Sequence, residues 1–204
     1  MRLTTLLIAL SLIFGLSACA NSGTTPTSFS PQSPTALLVV AGPKYNFAAN
    51  TGFRRVDLGS NTFLADYQGF GTGGFNGGQI NSDGPVYFNV REVVPGDYAL
   101  VSLLMVPGGT FWTCMPAGGP VFTLKPGEVT IVSTLPYWME TAAIPRPEPV
   151  SGRVLLESFA DARLAHPGLI GEARVARPTA TIRWESGVGM TRNCSESPTF
   201  RRLP

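Results

Sequence analysis

Apolar and polar positions divide the chain into three unequal stretches. Leu6 to Leu16 is an apolar run of eleven residues, broken only by Ser11 and Gly15. The pattern then vanishes: residues 20–35, ANSGTTPTSFSPQSPT, hold four Ser, four Thr and three Pro in sixteen positions. From Ala36 onward, short apolar runs return, punctuated by Gly and Pro. Ala36-Leu37-Leu38-Val39-Val40, ended by Gly42-Pro43, has the look of a strand buried on both faces. Residues 53–57 and 61–67 form weaker strand patterns around the turn Gly59-Ser60-Asn61. In 86–94, Val86, Phe88 and Val90 alternate with Tyr87, Asn89 and Arg91, the period of a strand. Ala180, Ile182 and Trp184 alternate in the same way and predict a last strand, with Pro178 at its start.

Two segments share one pattern. Pro95-Gly96-Asp97 leads into YALVSLL, and Pro126-Gly127-Glu128 leads into VTIVSTL. Pro followed by Gly is type II turn chemistry, and the runs that follow are apolar on both faces. Two copies are too few for a solenoid. They read as one turn-to-strand device used twice, a pattern similar to that of small exported β-sandwich domains. Only one stretch has helical period: between 154 and 166, Leu155, Phe159 and Ala162 form a stripe. Ser151 is placed to cap it, and His166-Pro167-Gly168 to end it. The fold class expected is therefore mainly β: a β-sandwich-like domain over 36–143, with 144–204 adding one appended C-terminal helix, a final edge strand and a tail.

Composition sharpens this picture. Gly (23) and Pro (18) are abundant, while charged residues make up 14% of the chain, against roughly 25% in average soluble proteins. Both facts suit many turns and short strands. The net charge of +2, with basic residues scattered, gives no footprint for nucleic acid.

The first stretch has its own chemistry. Eleven apolar residues are too few to span a bilayer core, which needs roughly 20. With Arg2 ahead of it, the run fits the apolar region of a secretory signal peptide over 1–18. Leu16-Ser17-Ala18-Cys19 then resembles the lipobox of bacterial lipoproteins. That resemblance implies cleavage before Cys19, a diacylglycerol thioether on its sulfur, and acylation (typically palmitate) of the new N-terminus. Two or more acyl chains anchor durably where one does not. Ala20, in place of Asp, points by the same resemblance to the outer membrane, on its periplasmic face. Residues 19–35 are then a lipidated Cys and a flexible tether, with a reach of roughly 20–25 Å. With Cys19 lipidated, Cys114 and Cys194 remain as a pair that an oxidising compartment allows to form a disulfide.

Motifs for catalysis are sparse. Gly69, Gly71 and Gly74 match G-x-G-x-x-G, but NGG and NSDGP follow where a phosphate-binding helix would have to start. The segment 69–84 instead reads as a glycine-rich surface loop. Together with Phe70, Phe75, Trp112 and Trp138 it offers possible ligand contacts. The single histidine, His166, has no G-x-S-x-G partner motif, and no spacing suggests a metal site or a cofactor. Three readings result. The first is a lipid-anchored envelope lipoprotein with a non-catalytic structural or protein-binding role, its partners the membrane and an envelope protein. The second is a periplasmic module binding glycan or a hydrophobic molecule. The third is a hydrolase using carboxylates that no spacing identifies.

Overall fold

The computed structural model describes residues 26–44, 48–71, 78–80, 82–106, 111–115, 118–138, 146–184 and 199–204. Twelve strands fall into two sheets. β1 (Ala36–Pro43), β4 (Gly78–Ile80), β5 (Val86–Val93), β9 (Val129–Ser133) and β10 (Ala173–Val175) form a five-stranded sheet in the order β10-β9-β1-β5-β4. The seven-stranded sheet holds β2 (Ala48–Asp57), β3 (Thr62–Gly71), β6 (Gly96–Val106), β7 (Phe111–Cys114), β8 (Gly119–Leu124), β11 (Ala180–Arg183) and β12 (Arg201–Arg202). Its order is β12-β11-β8-β6-β2-β3, with β7 also pairing β6. A short 3-10 helix, Leu135–Tyr137, follows β9. The one α-helix among the described residues, α1 (Gly152–Arg163), crosses the outer face of the five-stranded sheet.

β1 explains why the two sheets stack. All eight of its residues are buried, so both of its faces are covered. Ala36, Leu38 and Val40 meet Phe53, Tyr98, Leu100, Phe122 and Leu124 of the other sheet. Leu37, Val39 and Ala41 instead meet Leu155, Phe159 and Ala162, the stripe of α1. Phe88 of β5 and Phe159 make an edge contact with ring centroids 5.3 Å apart. The helix begins where the sequence places it, with the Ser151 hydroxyl accepting from the Val154 amide at 3.3 Å. Capping of this kind contributes about 1 kcal/mol. A third apolar cluster lies on the outer face of the seven-stranded sheet. There Phe63 packs edge-on against Trp184 and Phe200, at 5.5 and 5.2 Å.

The mainly β sandwich-like architecture with one helix is as the sequence predicts, and the corrections concern its margins. The last strand is β12, which pairs β11 through Ile182 and Arg202. A two-residue strand carries no readable period, which is why the tail looked structureless. β4 lies inside the expected glycine loop, because Gln79 can pair with Asn89 whatever the composition of its neighbours.

The larger correction concerns the tether. Residues 26–35 are packed against the domain as a strap. Phe29 is buried in the helix-side core. Its amide donates to the Gly168 carbonyl at 2.8 Å, and its own carbonyl accepts from the Ile170 amide at 2.8 Å. At the other end of the strap, the Gly127 amide donates to the Thr35 carbonyl at 2.8 Å. Two glycines make the path: a Cβ on Gly168 would strike the Thr27 carbonyl, and one on Gly127 would strike that of Pro31. Gly127 also has φ of +69°, in the left-handed region that costs other residues roughly 1 kcal/mol or more.

Removing the Phe29 ring is expected to release the strap. Truncating a buried Phe costs roughly 3–5 kcal/mol. Phe29→Ala should therefore speed hydrogen exchange at the Phe29 and Ile170 amides and open residues 26–35 to protease while β1 stays protected. Unchanged exchange at those two amides would refute the docking.

Candidate functional site

Antiparallel pairing brings separated parts of the chain to one end of the sandwich. Gly71, Asn50, Leu104 and Trp112 lie on a single rung across β3, β2, β6 and β7. Phe70, Thr51, Leu103 and Thr113 form the next rung. β1 and β9 finish at the same end, because Ser133 is the partner of Ala41 and β1 leads directly into β2. Backbone register does not bring Phe70 and Trp112 into a shared ligand platform: they stand on adjacent rungs, which alternate between the two faces of the sheet, with β2 and β6 between their strands. Phe75, with residues 72–77 and 81 of the glycine-rich segment, lies outside the described residues.

Trp138, the fourth aromatic, is at this end too, but it belongs to the core. It is 1% exposed, and its indole N–H donates to the Thr134 hydroxyl at 3.1 Å. Thr134 in turn donates to the Ala41 carbonyl at 3.0 Å. The Trp138 ring therefore ties the 3-10 helix to β1 and offers no face to a ligand. Cys114 sits opposite Ser102 on β6. Cys194 and Cys19 lie outside the described residues, and no disulfide is formed among those described.

Between the sheets near this end is a row of polar side chains. Val86, Phe88 and Val90 of β5 face the helix, so Tyr87, Asn89 and Arg91 face the other sheet. Arg91 reaches across the sandwich, donating from Nη1 to Gln68 Oε1 of β3 at 2.9 Å. Its half-burial pushes the guanidinium below its ordinary pKa by desolvation. One step further along each strand, on the same face, are Asn89 and the Phe70–Thr51 pair. Asn89 is 1% exposed, and neither its amide nitrogen nor its oxygen has a partner among the described residues. The buried Thr51 hydroxyl has none either. Such groups cost about 1–3 kcal/mol each when left unpaired. Two of them at the same level, beside the Arg–Gln bridge, form a polar compartment in the core, and the buried Thr130 hydroxyl of β9 is a further one without a partner among the described residues. Sequence alternation marks Asn89 as polar, but only the opposing sheet shows that this polar face is covered.

The opposite end of the sandwich carries an open cleft of about 320 Å³ between the β2–β3 turn and the β5–β6 turn. It is lined by Arg55, Asp57, Leu58, Leu64, Pro95 and Asp97, among others. Its acids are held by local structure. The Ser60 hydroxyl donates to Asp57 at 2.7 Å, and the Gly59 and Ser60 amides donate at 2.8 and 3.3 Å. These bonds hold the Asp57 carboxyl below its ordinary pKa, the Ser60 hydroxyl most of all. Asp97 accepts from the Thr123 hydroxyl at 2.6 Å. Glu128 pairs with Arg174 at 2.7 Å. His166 sits in the turn after α1, its amide donating to the Arg163 carbonyl at 2.8 Å. No group of three metal-ligating side chains occurs among the described residues.

Against known proteins, neither a family, nor a curated protein, nor a solved structure matches the chain.

Asn89 gives a direct test of the compartment. Replacing an unpaired buried amide by an apolar group of similar size removes the penalty, so Asn89→Val should stabilise the domain by about 1–2 kcal/mol. For a chain of this size that is a rise in Tm of roughly 2–8 °C. A marked drop in Tm would mean that Asn89 is a satisfied structural residue instead.

Proposed function

We propose that this chain is an envelope lipoprotein. Cys19 carries the lipid, and the strapped β-sandwich serves a non-catalytic structural or protein-binding role at the periplasmic face of a bacterial outer membrane. The observation that carries the reading is Leu16-Ser17-Ala18-Cys19, placed directly after an apolar run of eleven residues. The described domain supports it in two ways. Its strap begins only seven residues after Cys19, a short lead from an anchor to a folded body. The acids around its cleft serve turns and strand ends: Asp57 closes the 57–60 turn and Asp97 fixes Thr123. Both are thereby drawn away from acid–base work.

A second reading, a small-molecule binding module, is favoured by one observation: the buried Asn89 amide and Thr51 hydroxyl between the sheets, which have no partner among the described residues. Buried polar groups without partners suit an occupant that supplies them. The glycine-rich segment ahead of β4 begins beside this level of the sandwich, at Gly71.

The anchor is tested by metabolic labelling. Cells expressing the full chain with an alkyne palmitate should yield a labelled product, and Cys19→Ser should abolish the label and release the protein from membranes. A wild-type chain that takes up no label would sink the proposal. The disulfide is tested on the same material. Denatured, unreduced protein should show no reactive thiol at Cys114 or Cys194, whereas two titratable thiols would leave both cysteines free.

A further inference from the structure

We infer that the strap end of the domain is a membrane-docking face, on which Leu164 and Ile170 enter the headgroup layer of the bilayer that holds the lipid. This rests on the reading of Cys19 as the lipidated residue.

Three large hydrophobic side chains are exposed among the described residues: Leu164 at 81%, Ile170 at 59% and Val94 at 53%. Single exposed aliphatics are ordinary on a protein surface. The position of these three is what carries the inference, because all of them border the strap. Leu164 ends α1, and Ile170 lies six residues on, after the turn that returns to the sheet. Between them is Gly168, whose Cα is crossed by the Thr27 carbonyl at the start of the strap. The Ile170 amide is bonded to Phe29 itself, at 2.8 Å. Val94 adjoins Val93, the partner of Ala36, where the strap becomes β1.

Chain length then fixes how far this face can stand from lipid. From Cys19 to Pro26 the chain takes seven residue steps. Fully extended they reach about 24 Å, and as a flexible coil roughly 15 Å root-mean-square. A free sixteen-residue tether would leave the domain able to turn any side to the bilayer. A short lead that ends against Gly168 does not. It delivers the domain with Leu164 and Ile170 foremost, on either side of the attachment point. Their side chains are apolar and uncharged, matched to the boundary between headgroups and acyl chains. The backbone around them is held by the bonds of His166 and Leu169 within the turn, at 2.8 and 3.0 Å, so the two residues are presented on a formed scaffold.

The test uses the full-length, natively processed protein. It is reconstituted into vesicles of phosphatidylethanolamine and phosphatidylglycerol that carry a diazirine-bearing phosphatidylcholine. After illumination, lipid adducts are mapped by mass spectrometry, and the mass of the N-terminal peptide reports acylation of Cys19 in the same digest. Adducts on residues 163–171 of an acylated protein are the expected result. The double variant Leu164→Glu, Ile170→Glu should lower their yield about tenfold, since two charges replace the inserted apolar groups. It should leave Cys19 acylated and Tm unchanged, both side chains being exposed. Adducts confined to residues 19–25 of an acylated protein would overturn the docking face and leave the anchor standing, and would assign the exposed aliphatics to a protein partner instead. An unmodified Cys19 would overturn the anchor and, with it, this inference.

Discussion

The structure depends on β1 being buried along its whole length and on both faces. A strand covered on one face needs one partner layer, but a strand covered on both needs two. Leu38 and Val40 require the seven-stranded sheet on one side, and Leu37 and Val39 require α1 and Phe29 on the other. Burying such side chains contributes roughly 1.5–3 kcal/mol each, so neither layer is dispensable. The pairing of β1 sets the connectivity as well. β9 lies parallel to it, and parallel neighbours need a long crossover. Here the crossover runs from β2 to β8 and contains five of the seven strands of the second sheet, with β4 and β5 returning to the first. The parallel pair β9–β10 repeats the device on a smaller scale, with α1 in its crossover.

The two Pro-Gly segments mark where the chain changes sheet. Pro95-Gly96 carries it from β5 in the five-stranded sheet to β6 in the seven-stranded one, and Pro126-Gly127 carries it back from β8 to β9. Both glycines hold positive φ, 147° and 69°, which a side chain would resist. The Pro-Gly turns ahead of β6 and β9 were legible from the chain alone, because such turns need particular residues in a particular order, but the change of sheet at each was not. The helix was legible for the same reason: the Leu155, Phe159, Ala162 stripe and the Ser151 cap are local signals. Alternation gave β5 and β11, since a strand between core and another layer still keeps a period of two.

What escaped the sequence depends on residues far apart. Phe29 is one aromatic among Ser, Thr and Pro, and nothing near it says that it is buried. Its place is created by Leu169, and the strap's path by Gly127 and Gly168, each more than ninety residues away. β4, β10 and β12 have three residues or fewer, too short for any period to show. The polar compartment is hidden in another way. Tyr87, Asn89 and Arg91 alternate with apolar neighbours as a solvent-facing row would, and only Gln68, reaching from the opposite sheet to Arg91, reveals that the row is enclosed. The ligand aromatics divide along the same line. Phe70 and Trp112 are set on adjacent, oppositely facing rungs by register, a property of pairing. Trp138 is drawn into the core by Thr134 and Ala41, a property of packing that its own neighbours in sequence do not announce.

These long-range contacts give the domain two distinct ends. The strap, the Pro-Gly corners and the exposed aliphatics lie at one, and the rung from Gly71 to Trp112 lies at the other. A strand of eight residues separates them by about 26 Å. A lipid on Cys19, as proposed, would through the short lead into the strap hold the first end against the bilayer and turn the second away from it. The compartment of Asn89 and Thr51 lies toward that second end, where neither the membrane nor the strap obstructs approach. A protein built this way divides its labour by position. Under that proposal, the end carrying glycine-compatible close contacts and apolar surface would serve attachment. The other end is where Asn89 and Thr51 have no partner among the described residues. The same strap that consumes most of the expected tether is what makes the distinction between the two ends physical, because a freely jointed lead would average it away.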